Sequence, residues 1–145
     1  MLHTHSKIWI HLIWTTKNRE PVLNNKIGIK LYDHLINYSK DTFSINFERL
    51  NIQKEHIHGL IDLPTNIMLS EFMQKLKGES SHWLNQSKMF RTKFSWQRGF
   101  GAYSVSASQL DIVKRYIENQ GEHHKKSTFL QEYEQWKKEY SLFDD

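Results

Sequence analysis

The amino-acid sequence predicts an α+β fold in a single domain, residues 1–145. Three observations carry that reading. Segments rich in β-branched and aromatic residues alternate with segments whose apolar residues recur at helical spacing. Two of the strand-like segments, residues 43–53 and the one opening at Glu55, are joined by so short a connection that they should pair antiparallel. Apolar residues make up 38% and charged residues 25% of the 145, which suits a soluble domain with a genuine core and argues against disorder.

Residues 7–16 (KIWIHLIWTT) are apolar on both faces, the pattern of a strand well inside a sheet. A polar turn at residues 17–21 ends it. Asn24 or Asn25 can cap a helix to about Lys40, with Ile27, Leu31, Leu35 and Tyr38 as its apolar stripe. Residues 43–53 form the second strand, and the third runs from Glu55 until Pro64 stops it. Ser70 is the expected cap of a helix that buries Phe72, Met73, Leu76, Trp83 and Leu84. Residues 94–101 (FSWQRGFG) read as a loop and residues 103–106 as a short strand. A helix from Gln109 to about His124 carries Leu110, Val113 and Ile117, and an amphipathic helix with Phe129, Tyr133, Trp136 and Tyr140 closes the chain.

Composition narrows the chemistry. There is no cysteine, which excludes disulfides and thiolate metal sites and fits a reducing compartment. No apolar run approaches membrane-spanning length, and the start of the chain lacks a signal peptide, so the expected location is the cytoplasm with no membrane partner. The net charge of +4 is too small to establish a nucleic-acid partner by itself. Its distribution is more telling. Between Lys75 and Arg98 stand six Lys or Arg against one acid, Glu79, whereas the tail beyond Gln131 is acidic and aromatic.

The candidate chemistry centres on His56, Ile57 and His58. In a strand, alternate side chains share a face, so the two imidazoles project together and Ile57, Ile61 and Leu63 fill the other side. Two imidazoles on a rigid strand make a partial site for a divalent ion, although the same pattern also describes two polar residues on an open face. Lys75, Lys77, Gly78, Ser80 and Ser81 offer cations, hydroxyls and close backbone approach suited to a phosphate chain, or a solvated helix face. Trp96, Arg98 and Phe100 suit contact with a base or sugar, or a loop anchored in the core. Tyr116 and Gln120 lie one helical turn apart at the edge of a buried stripe.

Laid end to end, these segments resemble the HUH single-tyrosine transposases. That family comprises the small transposases of the simplest bacterial insertion sequences and the related transposases associated with repeated extragenic palindromes. The resemblance rests on His56-Ile57-His58 with Pro64 after its strand, and on Trp14-Thr15-Thr16-Lys17 ending the first strand. It rests further on Leu76-Lys77-Gly78 with Ser80-Ser81, on Trp96-Gln97-Arg98-Gly99-Phe100, and on Tyr116-Ile117-Glu118-Asn119-Gln120. Order and spacing hold from about Ser6 to Tyr140.

The resemblance implies a ferredoxin-like (RRM-like) antiparallel sheet with helices packed on one face. It implies that His56, His58 and Gln120 hold a divalent metal, Mg²⁺ or Mn²⁺, and that Tyr116 is the nucleophile. The implied reaction cleaves and rejoins single-stranded DNA, with a hairpin near the cleavage site, through a covalent 5′-phosphotyrosine. Lys75, Lys77, Lys93 and Arg98 are the candidates for DNA-backbone contacts, with Trp96 and Phe100 for stacking. A homodimer whose active sites take the His pair from one subunit and the tyrosine helix from the other is expected, with a hinge at Asn119, Gln120, Gly121 and Glu122. Rival readings are a catalytically silent nucleic-acid-binding regulator and a metal-dependent hydrolase that forms no covalent intermediate. His11 lies on the first strand beside the proposed site, as a support for it or a structural residue. His3, His5, His123 and His124 have no assigned role.

Overall fold

The computed structural model describes residues 4–120 together with Gln131, Glu134 and Lys138. Its elements are β1 (Trp9–Thr15), α1 (Asn25–Phe43), β2 (Phe47–Ile52), β3 (His56–Asp62), α2 (Leu69–Gln86), β4 (Gly101–Val105) and α3 (Leu110–Glu118). The four strands form one sheet in the order β2-β3-β1-β4, with every pairing antiparallel. β3 and β1 are therefore central, and the strand expected deep in the sheet from its two-sided apolar pattern is there.

Alternation sorts the side chains onto two faces. Leu12 and Trp14 of β1 and Ile57 and Ile61 of β3 join Ile27, Leu31 and Leu35 of α1 and Phe72, Met73, Leu76 and Leu84 of α2 in the main core. On the other face, Leu60 and Val105 meet Val113 and Ile117 of α3 in a smaller cluster. The expected α+β class with an antiparallel sheet holds. The two long helices share one face as expected, while α3 covers the other, because Leu60 falls on the histidine side of β3 and needs apolar cover there.

Gly59 permits the close packing of β3 on its neighbour. A Cβ there would stand 2.7 Å from Cε1 of Phe47, whose ring joins the main core and fills the space beside the glycine. No L side chain fits without moving that ring.

Several element boundaries differ from the sequence reading. Asn24 does cap α1, accepting from the Ile27 N–H at 3.0 Å, but the helix continues to Phe43 and stops at Ser44 in a left-handed conformation. The Phe43 ring packs edge-on against Tyr38 and Phe72, so it belongs to the helix, and β2 begins at Phe47. Ser70 lies inside α2, whose N-cap is Met68 with no side-chain bond. The tyrosine helix is shorter than expected, ending at Glu118 with Asn119 non-helical. The predicted closing helix (Phe129, Tyr133, Trp136, Tyr140), Gly121, Glu122, His3, His123 and His124 lie outside the described residues. No helix among the described residues is long and apolar enough to cross a membrane.

Candidate active site

His56 and His58 are fully buried on β3, at 0% and 1% exposure, and buried polar side chains need partners. The Nδ1 of His56 meets Glu55 Oε1 at 2.8 Å, and its Nε2 stands 3.3 Å from Gln120 Oε1. The Nδ1 of His58 lies 2.9 Å from Nε2 of His11. The β-register explains this last contact. Ile13 pairs with His58 and His11 with Leu60, so His11 is the diagonal neighbour of His58 on the same face.

The contact with Glu55 dictates the tautomer of His56. A carboxylate only accepts, so His56 Nδ1 carries a proton and donates it to Glu55. The Gln120 amide nitrogen donates to the Tyr116 carbonyl at 3.1 Å, which turns the amide oxygen toward His56. With Nδ1 protonated, neutral His56 faces that oxygen with a lone pair. Two acceptors so close require either a second proton on the ring or a cation between them. Burial pushes the His11 pKa down from 6.5 to about 3, so His11 stays neutral. A neutral His11 that keeps its proton on Nδ1 accepts from His58 Nδ1, leaving the His58 lone pair on Nε2. His56 thus has the form in which a metal-ligating histidine is commonly held, with the other ring nitrogen donating to a fixed partner, and His58 has it too when its Nδ1 is the donor to His11.

The donor set fits a divalent ion: two neutral imidazoles and an amide oxygen leave its charge undiminished. Among the described residues no three His, Cys, Asp or Glu side chains are placed to hold an ion together, so an ion at this site would take its remaining ligands from solvent or substrate oxygens. Tyr116 completes the group. Its half-buried ring lies 5.6 Å from the His58 ring and 6.1 Å from the His11 ring, centroid to centroid.

α3 is held over this site by its own chain. Val113 and Ile117 pack on Leu60 and Val105, Arg49 of β2 pairs with Glu118, and Lys114 lies 4.0 Å from Glu48. The Asn51 amide also donates to the Glu118 carbonyl at 3.4 Å. Within one chain His56, His58, Tyr116 and Gln120 lie together.

The expected DNA-contacting residues separate. Arg98 and Phe100 are exposed on the wall of a cleft of about 630 Å³ beside the end of β1. Lys93 is exposed by a smaller cleft of about 290 Å³ next to it. Lys75 lies on the helical side, bonded to Glu71 at 2.9 Å and 6.0 Å from the Phe43 ring, away from the histidines. Lys77 is half-buried and donates to the Gln97 and Gly99 carbonyls at 2.8 and 2.6 Å, bracing their loop, and burial lowers its pKa. Trp96 is core, not a stacking platform. Its indole N–H donates to Ser80 Oγ at 3.0 Å and its ring meets Trp14 and Phe94 edge-on. Ser80 is consumed by that bond and Ser81 bonds the Gly78 carbonyl, so the serines of the lysine-glycine cluster serve the fold.

Sequence reasoning assigned no role to Glu55, which precedes β3. Its side-chain direction is set by the tight turn that closes with the Gln53 N–H on the His56 carbonyl at 2.8 Å, and strand alternation is silent there.

An antiparallel α+β domain with a buried histidine pair on its central strand and a tyrosine on the covering helix defines a class, and the sequence places the chain within it. The profile of the IS200-like transposases matches residues 4–120, and the chain belongs to that family. No curated protein matches it. Solved structures share the fold. A candidate transposase from Deinococcus radiodurans R1 aligns at 23% identity and a TM-score of 0.66, over 83% of this chain and 95% of that one. A REP-associated tyrosine transposase, solved bound to a REP hairpin, aligns at 16% identity and a TM-score of 0.63, over 86% of this chain and 74% of that one.

Proposed function

We propose that this transposase cleaves and rejoins single-stranded DNA through a 5′-phosphotyrosine on Tyr116, with Mg²⁺ or Mn²⁺ held by His56, His58 and Gln120. The observation that carries the reading is the facing of His56 Nε2 and Gln120 Oε1 at 3.3 Å, with Tyr116 against His58. The Tyr116 oxygen attacks phosphorus and loses its proton to solvent. The bond from phosphorus to the 3′ oxygen breaks, and that oxygen leaves as a hydroxyl after taking up a proton. The 5′ phosphate stays on the tyrosine, and attack by a 3′ hydroxyl reverses the step without ATP. When bound, the divalent ion neutralises charge on the non-bridging oxygens. Glu55 and His11 hold the histidine rings in the tautomer and orientation the site needs, and α3 sets the tyrosine beside them. Arg98, Phe100 and Lys93 are the DNA contacts retained in this reading. Lys75, Lys77 and Trp96 act in the fold. The substrate is single-stranded DNA with a hairpin near the cleavage site, encountered in the cytoplasm.

The reading assembles each site within one subunit. A second reading, a homodimer that exchanges α3, is favoured by the break at Asn119, which separates the end of the helix at Glu118 from Gln120.

The test is incubation of the full chain with 3′-labelled single-stranded DNA from the flanks of its own gene, with Mn²⁺ or Mg²⁺, resolved on a denaturing protein gel. A metal-dependent adduct, absent with Tyr116→Phe and with His56→Ala, is the expected result. Cleavage without an adduct would favour the hydrolase. Tight binding with neither adduct nor cut product would favour the silent regulator.

A further inference from the structure

The cleft of about 630 Å³ lies within the roughly 300–1,000 Å³ range of small-ligand sites and shares a sheet face with the histidine pair. Ile13 and Thr15 contribute to its lining, and they are the register partners of His58 and His56 on the neighbouring strand. Strands lie about 4.8 Å apart, so the cleft opens directly beside the proposed reaction centre.

Its walls combine three chemistries. Arg19 and Arg98 supply cations for phosphate, and Phe100, 39% exposed, places an aromatic ring in the lining. Asn18, with both a donor and an acceptor, and the Glu134 carboxylate can read a base edge. A bare phosphate would need no ring and would be repelled by a carboxylate, whereas a nucleotide uses all of these groups. The walls are also prebuilt. The Asn18 N–H donates to the Gln97 side-chain oxygen at 2.9 Å, and the Gln97 N–H donates to the Thr15 carbonyl at 2.9 Å. Lys77 pins the Gln97 and Gly99 carbonyls from behind. Asn18 and Arg19 both hold left-handed backbones, at φ 56° and 54°, a costly conformation for consecutive non-glycine residues and of the kind that collects at ligand sites.

We propose that this cleft binds one unpaired nucleotide of the DNA strand next to the scissile phosphate, stacking its base on Phe100 and reading its edge with Asn18. The inference rests on the proposed function and adds to it a subsite that selects the cleavage position.

The test uses hairpin-bearing oligonucleotides from the gene's own flanks, each with one unpaired position made abasic. Binding is read by fluorescence anisotropy on the Tyr116→Phe protein, alone and combined with Phe100→Ala or Asn18→Gly. Glycine keeps the left-handed backbone at position 18 accessible, and both residues are exposed, so the variants fold. One abasic position should weaken binding roughly 10-fold or more. The Phe100→Ala and Asn18→Gly proteins should bind the intact strand more weakly and lose most of that discrimination. Unchanged discrimination in both variants, or no position that matters, overturns the subsite. If the wild-type protein still forms its adduct on the intact strand in that case, the proposed function stands. Failure of both adduct and binding on every strand overturns the two together.

Discussion

β3 brings two histidines to the candidate site and α3 brings Tyr116, with Gln120 just beyond its end, and the two elements are held in very different ways. β3 lies inside the sheet, paired on both edges, with residues 56–61 all buried. α3 has nine residues, buries only Val113 and Ile117, and otherwise leans on β2 through two ion pairs at the surface and the hydrogen bond from Asn51. The histidines are fixed as firmly as the fold itself. The tyrosine rides on an element that can open without unfolding the rest, the low-stability kind of element from which moving parts are drawn. Under the proposed function the contrast is a division of labour, with a rigid half that would fix charge and geometry and a looser half that would carry the covalent intermediate.

Substitutions can break the contrast, and the largest effect is expected at the reacting groups. Tyr116→Phe should reduce adduct formation at least about 1,000-fold while leaving the urea midpoint nearly unchanged, since it removes one hydroxyl from a half-buried ring. His58→Ala should abolish the adduct and also cost roughly 1–3 kcal/mol of stability, because the Nε2 of buried His11 loses its hydrogen bond to His58. Equal stability losses in the two variants would show that the halves are held alike. Native-state hydrogen exchange sharpens the same point: α3 amides should exchange through an opening several kcal/mol below the global unfolding that protects β3.

The next effect is one of pH. Burial lowers the His11 pKa in the folded chain to about 3, so the unfolded chain binds more protons below its ordinary value of 6.5. Stability is therefore fully present above pH 6.5 and is lost as pH falls from there toward 3, by about 2 kcal/mol at pH 5 from this residue. Urea unfolding at pH 7 and pH 5 should show that loss, and His11→Gln should remove most of it. The smallest effect belongs to Arg49→Ala, which should cost under about 1 kcal/mol globally because its pair with Glu118 is substantially exposed. It should nevertheless accelerate exchange of α3 amides and leave β3 unaffected.

The same contrast governs how much the sequence disclosed. The shared face of His56 and His58 was legible because a spacing of two in a strand fixes it. Gln120, by contrast, lies past the end of α3 and reaches back to the Tyr116 carbonyl, which helical spacing did not foretell. The antiparallel pairing of β2 with β3 followed from a short connection. Trp96 was not legible: a tryptophan between serine and glutamine reads the same whether its indole stacks on a base or donates to a buried serine. Glu55 was hidden because it sits in a turn, where no period applies. Lys77 looked like a phosphate contact because its partners are backbone carbonyls twenty or more residues away, which carry no side-chain signature. The overrun of α1 to Phe43 depends on the Phe72 ring, a contact between distant residues.

The central claim is that one chain supplies both halves of the site, and mixing two inactive proteins tests it most directly. His56→Ala and Tyr116→Phe chains, combined with labelled single-stranded DNA and Mn²⁺, should yield no adduct if each site draws its histidines and tyrosine from the same chain. An adduct that appears only in the mixture would mean that α3 serves a partner's β3, and would contradict the account.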